Sequence, residues 1–191
     1  MKIKDLINES IALHQALLSD KNLLLQIEKS VELITECYKQ NGKVLLCGNG
    51  GSAADAQHIA AELTGRFKMD RKPLYAEALH CNTSYLTAVA NDYSFEKVYS
   101  RIIQSNSISG DVLIAISTSG NSPNILEACI TARNNGLVVI GFTGDKGGNM
   151  NTLCDILLKI PSKNTARIQE CHILIAHIIC ELLETTLFGA Q

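Results

Sequence analysis

Each of two short apolar runs, Lys43-Val44-Leu45-Leu46 and Val112-Leu113-Ile114-Ala115-Ile116, breaks at once into small, donor-rich residues that open a helical pattern. The first turn is Cys47-Gly48-Asn49-Gly50-Gly51-Ser52 and the second is Ser117-Thr118-Ser119-Gly120-Asn121-Ser122. A β-branched run that passes straight into a helix reads as one strand of a parallel sheet with a crossover helix. The turn between them leaves the first helical N–H groups free, with the positive end of the helix dipole behind them, which suits a phosphate or another anionic oxygen.

The rest of the chain repeats this alternation. Helical spacing covers 3–19 and 22 to about 40, divided by Ser19-Asp20 as a cap and closed by Asn41-Gly42. Beyond these two helices the pattern predicts strands at 43–47, near 75–79, 112–117, 137–142 and 155–160. Helices are predicted at 52–66, 83–91, 94–105, 122–135, around 148–154, and from about 165 to 188. The expected fold is α/β: a parallel sheet of about five strands with helices on both faces, flavodoxin-like, behind an N-terminal helical extension (1–41), in a single domain over 1–191. Ligands of such sheets bind outside the carboxyl ends of the strands, where both turns fall.

Bulk properties exclude several classes. Seventeen basic and nineteen acidic residues leave a net charge of −2 with no long Lys/Arg run, so nucleic acid is not an expected ligand. The seven cysteines are scattered with no C-x-x-C pair, which argues against a disulfide framework or a zinc ribbon and fits a reducing cytoplasm. The N-terminus carries Lys2, Lys4, Asp5 and Glu9 and lacks a secretory core, and the apolar stretch Ile173 to Leu183 is too short to span a bilayer. No membrane association is expected.

Four hydroxyls, those of Ser117, Thr118, Ser119 and Ser122, surround the second turn. A helix cap uses one or two of them and the remainder can donate to a phosphate. The first turn formally contains G-x-G-x-x-A, with Glu77 as a potential ribose acid, but a dinucleotide fingerprint asks for nothing like the residues that follow it. His58 and Glu62 lie four apart on one helix face, as an exposed polar pair or as part of a site. In the last helix Gln169, Ile173 and His177 form one stripe, and Gln and His in so apolar a helix call for partners. A His, a Glu, a Gln and a second His could jointly hold a zinc-like ion. His14, His80 and His172 read as packed or surface residues, Asp55 as an orienter of His58, and Arg167 and Glu170 as a helix pair. Asn91-Asp92 either ends its helix or binds sugar hydroxyls.

These segments together, Cys47 through His58, Ala61-Glu62-Leu63-Thr64-Gly65-Arg66, Asn91-Asp92-Tyr93, Ile116 through Ser122, and Arg167 through His172 with His177, resemble the phosphoheptose isomerase family of sugar-isomerase (SIS) domain proteins. The match runs in order over essentially the whole chain, departing at Ser162-Lys163-Asn164 and His80-Cys81. The resemblance implies conversion of sedoheptulose 7-phosphate to D-glycero-D-manno-heptose 7-phosphate, for bacterial lipopolysaccharide or capsule, by a cytoplasmic homotetramer with active sites between subunits. It also implies one Zn2+ per subunit on His58, Glu62, Gln169 and His177. The implied substrate contacts are Asn49, Gly50, Gly51, Glu62, Asn91, Asp92, Ser117, Thr118, Ser119, Ser122 and Gln169. A ketose-to-aldose shift through a cis-enediol needs a base and an acid, for which Glu62 and His177 are the candidates. The rival readings are an isomerase of another phosphosugar, a non-catalytic SIS module, and a nucleotide-dependent oxidoreductase.

Overall fold

In the computed structural model, which describes residues 2–189, five strands form one sheet in the order β2-β1-β3-β4-β5, all parallel. They are β1 (Val44–Gly48), β2 (Ala76–Ala78), β3 (Val112–Ile116), β4 (Val138–Thr143) and β5 (Ile156–Lys159). This is the flavodoxin-like order, with the chain reversing direction across the sheet between β1 and β3. Those two strands are paired in register from Val44↔Val112 to Gly48↔Ile116, so the two donor-rich turns leave the sheet side by side.

Seven helices accompany the sheet: α1 (Lys2–Ser19), α2 (Lys21–Lys39), α3 (Gly51–Thr64), α4 (Thr83–Asp92), α5 (Val98–Asn106), α6 (Pro123–Asn134) and α7 (Thr165–Phe188). Alternation along each strand sends side chains to two separate cores. Val44, Leu46, Ile114 and Phe142 pack with α2, α3 and α7 on one face. Leu45, Cys47, Leu113 and Val139 pack with α4, α5 and α6 on the other. Both faces are therefore covered, which is why the strands read as continuous apolar runs.

The local signals act as their chemistry requires. Asp20 Oδ1 accepts from the N–H groups of Asn22 and Leu23, each at 3.0 Å, and opens α2. Asn41 ends that region at φ 60°, the left-handed conformation that Asn tolerates. Two expectations change. The helix expected at 94–105 starts as a 3-10 turn, Phe95–Lys97, before α5, and the short helix near 148–154 is a 3-10 turn, Gly148–Thr152. The apolar run judged too short for a bilayer belongs to a full helix, α7, that is long and apolar enough by composition to cross one. Ile168, Cys171, Ile175, Ile179 and Leu183 bury that helix in the core instead.

Candidate functional site

The glycine turn is shaped by two close demands. Gly50 sits at φ 55°, and a side chain on Gly51 would run into the carboxamide of Gln169, whose Nε2 lies 2.5 Å from where a Cβ would stand. The Ser52 N–H donates to the Asn49 carbonyl at 3.0 Å, closing the turn. Asn49 is fixed by its own amide. Its Nδ2 donates to Asn124 Oδ1 at 2.9 Å, and Asn124 Nδ2 donates back to Asn49 Oδ1 at 2.8 Å. Buried Tyr99 donates its hydroxyl to the Gly48 carbonyl beneath the same turn.

The serine turn follows β3. Ser117 is buried, and its Oγ lies 3.0 Å from Ser122 Oγ and 3.4 Å from Ser119 Oγ. Ser119 Oγ also accepts from the Asn121 N–H at 3.1 Å. The expectation that one or two of these hydroxyls would cap α6 is not met. Ser122 occupies the N-cap position, but its side chain makes no cap bond because it turns to Ser117, and Pro123 removes one donor from the first turn. The hydroxyls are thus grouped with each other. Thr118 and Ser119 form one wall of a cleft of about 290 Å³ whose other residues include Lys146, Lys163 and Thr165.

The third group lies farther along α3. Helix α7 packs beside α3 in the same direction, so Gln169 meets Gly51 and His177 meets His58. His58 Nε2 is 3.1 Å from His177 Nε2 and 3.3 Å from Glu62 Oε1, and one donor atom from each of the three residues lies within 4.8 Å of the others. Phe67 stacks on the His177 ring, with centroids 5.5 Å apart and planes 27° apart. Two imidazole nitrogens and a carboxylate oxygen are a ligand set that Zn2+ takes with a position left open. At the usual zinc–ligand bond length of about 2.05 Å, neighbouring ligands of a tetrahedron stand about 3.3 Å apart, and the two distances from His58 Nε2 are of that size. The His58 side chain is about half exposed and that of Glu62 a quarter, so the group opens to solvent on one side.

Among the expected site residues, then, His58, Glu62 and His177 come together, Asn49, Gly50, Gly51 and Gln169 meet at the glycine turn, and Ser117, Thr118, Ser119 and Ser122 share the serine turn. Gln169 rests its carboxamide against Gly51 at the start of α3, on the same pair of helices. Asn91 and Asp92 pair with each other at the exposed end of α4, Nδ2 to Oδ1 at 2.9 Å. Asp55 makes no hydrogen bond to His58, contrary to the orienter expectation; burial raises its carboxyl, partly offset by His58, and its Oδ2 has no protein partner. Glu77, the potential ribose acid, takes the hydroxyl of Tyr75 at 3.1 Å. His172 is packed as expected, its Nε2 3.2 Å from the Thr143 carbonyl. Asn124, Phe67 and Lys146 escaped the sequence reading. Only Asn124 left a signal, as a polar residue directly before the apolar Ile125-Leu126 in the first turn of α6.

Comparison with known proteins fits this geometry. The SIS domain model matches residues 7–144. The phosphoheptose isomerase of Burkholderia pseudomallei (strain 1710b) is 50% identical over 189 residues, covering 99% of this chain and 96% of its own. That of Campylobacter jejuni (serotype O:6, strain 81116) is 52% identical over 172 residues, covering 90% and 92%. The solved phosphoheptose isomerase of Neisseria gonorrhoeae superposes with a TM-score of 0.91 at 42% identity, covering 96% of this chain and 97% of that one. The chain belongs to the SIS domain family and, within it, to the phosphoheptose isomerases.

Proposed function

We propose that this protein converts sedoheptulose 7-phosphate to D-glycero-D-manno-heptose 7-phosphate, with the phosphate on the serine turn and the reacting carbons at His58, Glu62 and His177. The observation that carries the reading is the convergence of those three donor atoms within 4.8 Å on two helices that also border the anion-binding turns. From Ile168, in the serine-turn cleft, to His177 is about 13 Å of helix rise, a span suited to a long phosphosugar held at both ends.

The serine hydroxyls and free turn amides hold the phosphate, and the binding energy gained there orients the distant carbonyl end. Asn49, Gly50, Gly51, Gln169, Asn91 and Asp92 are the proposed contacts to the sugar hydroxyls. Glu62 takes the proton from C1 while the C2 carbonyl oxygen gains a proton from water, giving a cis-enediol; His177 then protonates C2 as O1 returns a proton to water, leaving the aldose, and the proton on Glu62 passes back to His177 through solvent between turnovers. Where Glu62 and His177 serve instead as ligands, together with His58 and Gln169, one Zn2+ per subunit would supply Lewis acidity at the substrate oxygens in place of that acid–base pair.

The same reading includes self-association as a homotetramer with each site completed by a neighbour. It is supported by the open side of the His58 group and by the exposed apolar residues Ile3, Ile7, Ile11 and Leu18 on α1 and Ile178 and Leu182 on α7. Seven unpaired cysteines support a reducing, cytoplasmic setting. The heptose product would feed lipopolysaccharide or capsule. The test is a coupled assay of the purified protein on sedoheptulose 7-phosphate, with chelator and with added zinc. Turnover that chelator abolishes and zinc restores is the expected result; no turnover under any metal condition would overturn the assignment.

A further inference from the structure

Beyond the three donors, an ion pair joins the loop after α3 to α7. The side chains of Arg71 and Glu184 are each 2% exposed, with Nε and Oε1 3.0 Å apart. Glu184 lies two turns past His177 on α7, close to the same face. Its carboxylate accepts four N–H groups in all, those of Phe67 at 2.9 Å, Lys68 at 2.8 Å and Met69 at 2.9 Å, besides Arg71 Nε. Burial pushes the Glu184 carboxyl up, and these donors together more than reverse it, so the group stays ionised.

The rest of the guanidinium turns the other way. Nη2 donates to the Glu62 carbonyl at 2.9 Å, and Nη1 to the carbonyls of Leu63 at 2.7 Å and Gly65 at 3.3 Å. These are carbonyls that the last turn of α3 leaves without helical partners, at the end where a cation complements the dipole. The pair therefore grips the backbone of Glu62 on one side and the backbone of Phe67 on the other, and the Phe67 ring lies on His177.

We propose that the Arg71–Glu184 pair is a positioning element of the donor cluster, setting Glu62, Phe67 and His177 relative to one another through α3, the loop after it, and α7. The proposal rests on the reading of that cluster as the reacting centre. Stability alone is a poor account of the arrangement, because a buried ion pair is commonly replaceable by apolar side chains of similar volume without loss of stability. What apolar residues cannot reproduce is a planar fork that bonds a carboxylate with one nitrogen and three helix-end carbonyls with the other two.

The test uses the full-length protein and three variants. Arg71→Lys keeps the charge opposite Glu184 and loses the fork. The expected result is a folded protein with kcat reduced at least tenfold, KM within threefold, and Zn2+ held at least tenfold more weakly in competition with a chromogenic chelator. The double variant Arg71→Met/Glu184→Leu removes both charges together and should behave alike. Phe67→Leu, at a half-buried position, removes only the platform and should lower kcat with a smaller change in zinc affinity. Wild-type kcat and zinc affinity in either clamp variant, or wild-type kcat in Phe67→Leu, overturn the proposal. Loss of turnover in Glu62→Gln alongside intact clamp variants sinks the clamp alone, whereas full turnover in Glu62→Gln sinks the reading of the cluster beneath it.

Discussion

Asn49 and Asn124 exchange two hydrogen bonds, each amide donating to the other at 2.8 to 2.9 Å, across the gap between the glycine turn and the first turn of α6. Because β1 and β3 are adjacent and in register, this pair fastens the glycine turn to the start of α6, directly after the serine turn. Asn124 is only 2% exposed, so removing one amide strands the other where water does not easily replace it. Asn124→Ala is expected to cost about 1–3 kcal/mol of stability, the penalty of an unsatisfied buried polar group, and to raise KM for the phosphosugar. Thermal unfolding and steady-state kinetics on one preparation check it, and an unchanged KM would count against any coupling of the two loops.

The proposed roles of Glu62 and His177 make the sharpest kinetic demand. Glu62→Gln keeps the size of the side chain and removes its basicity, and His177→Ala removes the ring beneath which Phe67 stacks. Each is expected to lower kcat by at least 10³-fold, at the scale of a lost general acid or base, with the fold intact by circular dichroism. A near-normal rate in either variant takes that residue out of the mechanism.

At the serine turn, Ser119 Oγ accepts from the Asn121 N–H and touches Ser117 Oγ, so its hydroxyl is held in place before any ligand arrives. With the phosphate at this turn as proposed, and so away from the reacting carbons, Ser119→Ala is expected to raise KM about tenfold, near 1.4 kcal/mol, with a smaller fall in kcat. Competitive inhibition by inorganic phosphate should weaken in parallel; unaltered inhibition would show that the cradle lies elsewhere.

Much of this was legible in the sequence. The strands of the sheet announced themselves because a strand buried on both faces must be apolar throughout, and Asp20 and Asn41 marked helix ends through local side-chain and backbone chemistry. Local rules also put His58 beside Glu62. They put Gln169 and His177 on one face of the last helix but could not show that Gln169 meets Gly51, a contact between distant parts of the chain. Nor could they find the clamp, since Arg71 and Glu184 are 113 residues apart and neither belongs to a motif. Phe67 is an ordinary loop aromatic until α7 brings His177 under it.

Gly51 offers a test of Gln169 that spares the helix. Alanine there is compatible with α3, but its Cβ would stand 2.5–2.8 Å from the Gln169 carboxamide, the far end of a flexible side chain that can swing away. Gly51→Ala is therefore expected to shift Tm little while raising KM, because the carboxamide no longer rests at the turn. If KM is untouched, Gln169 plays no part in sugar binding.

The last prediction concerns pH. His172 is buried under β4, and burial lowers it from an ordinary 6.5 to about 4, against a contact with the Thr143 carbonyl that raises it. The folded chain thus keeps this imidazole neutral where the unfolded chain protonates. The stabilisation is fully present above pH 6.5 and drains away as pH falls towards 4, by about 1.4 kcal/mol per unit and roughly 3 kcal/mol in all. His172→Gln retains an N–H for the carbonyl and cannot titrate in this range. Its Tm should fall less steeply than that of the wild type between pH 6.5 and 5, a window above the ordinary range of the carboxylates. Parallel Tm curves for the two proteins would place the acid sensitivity on another group.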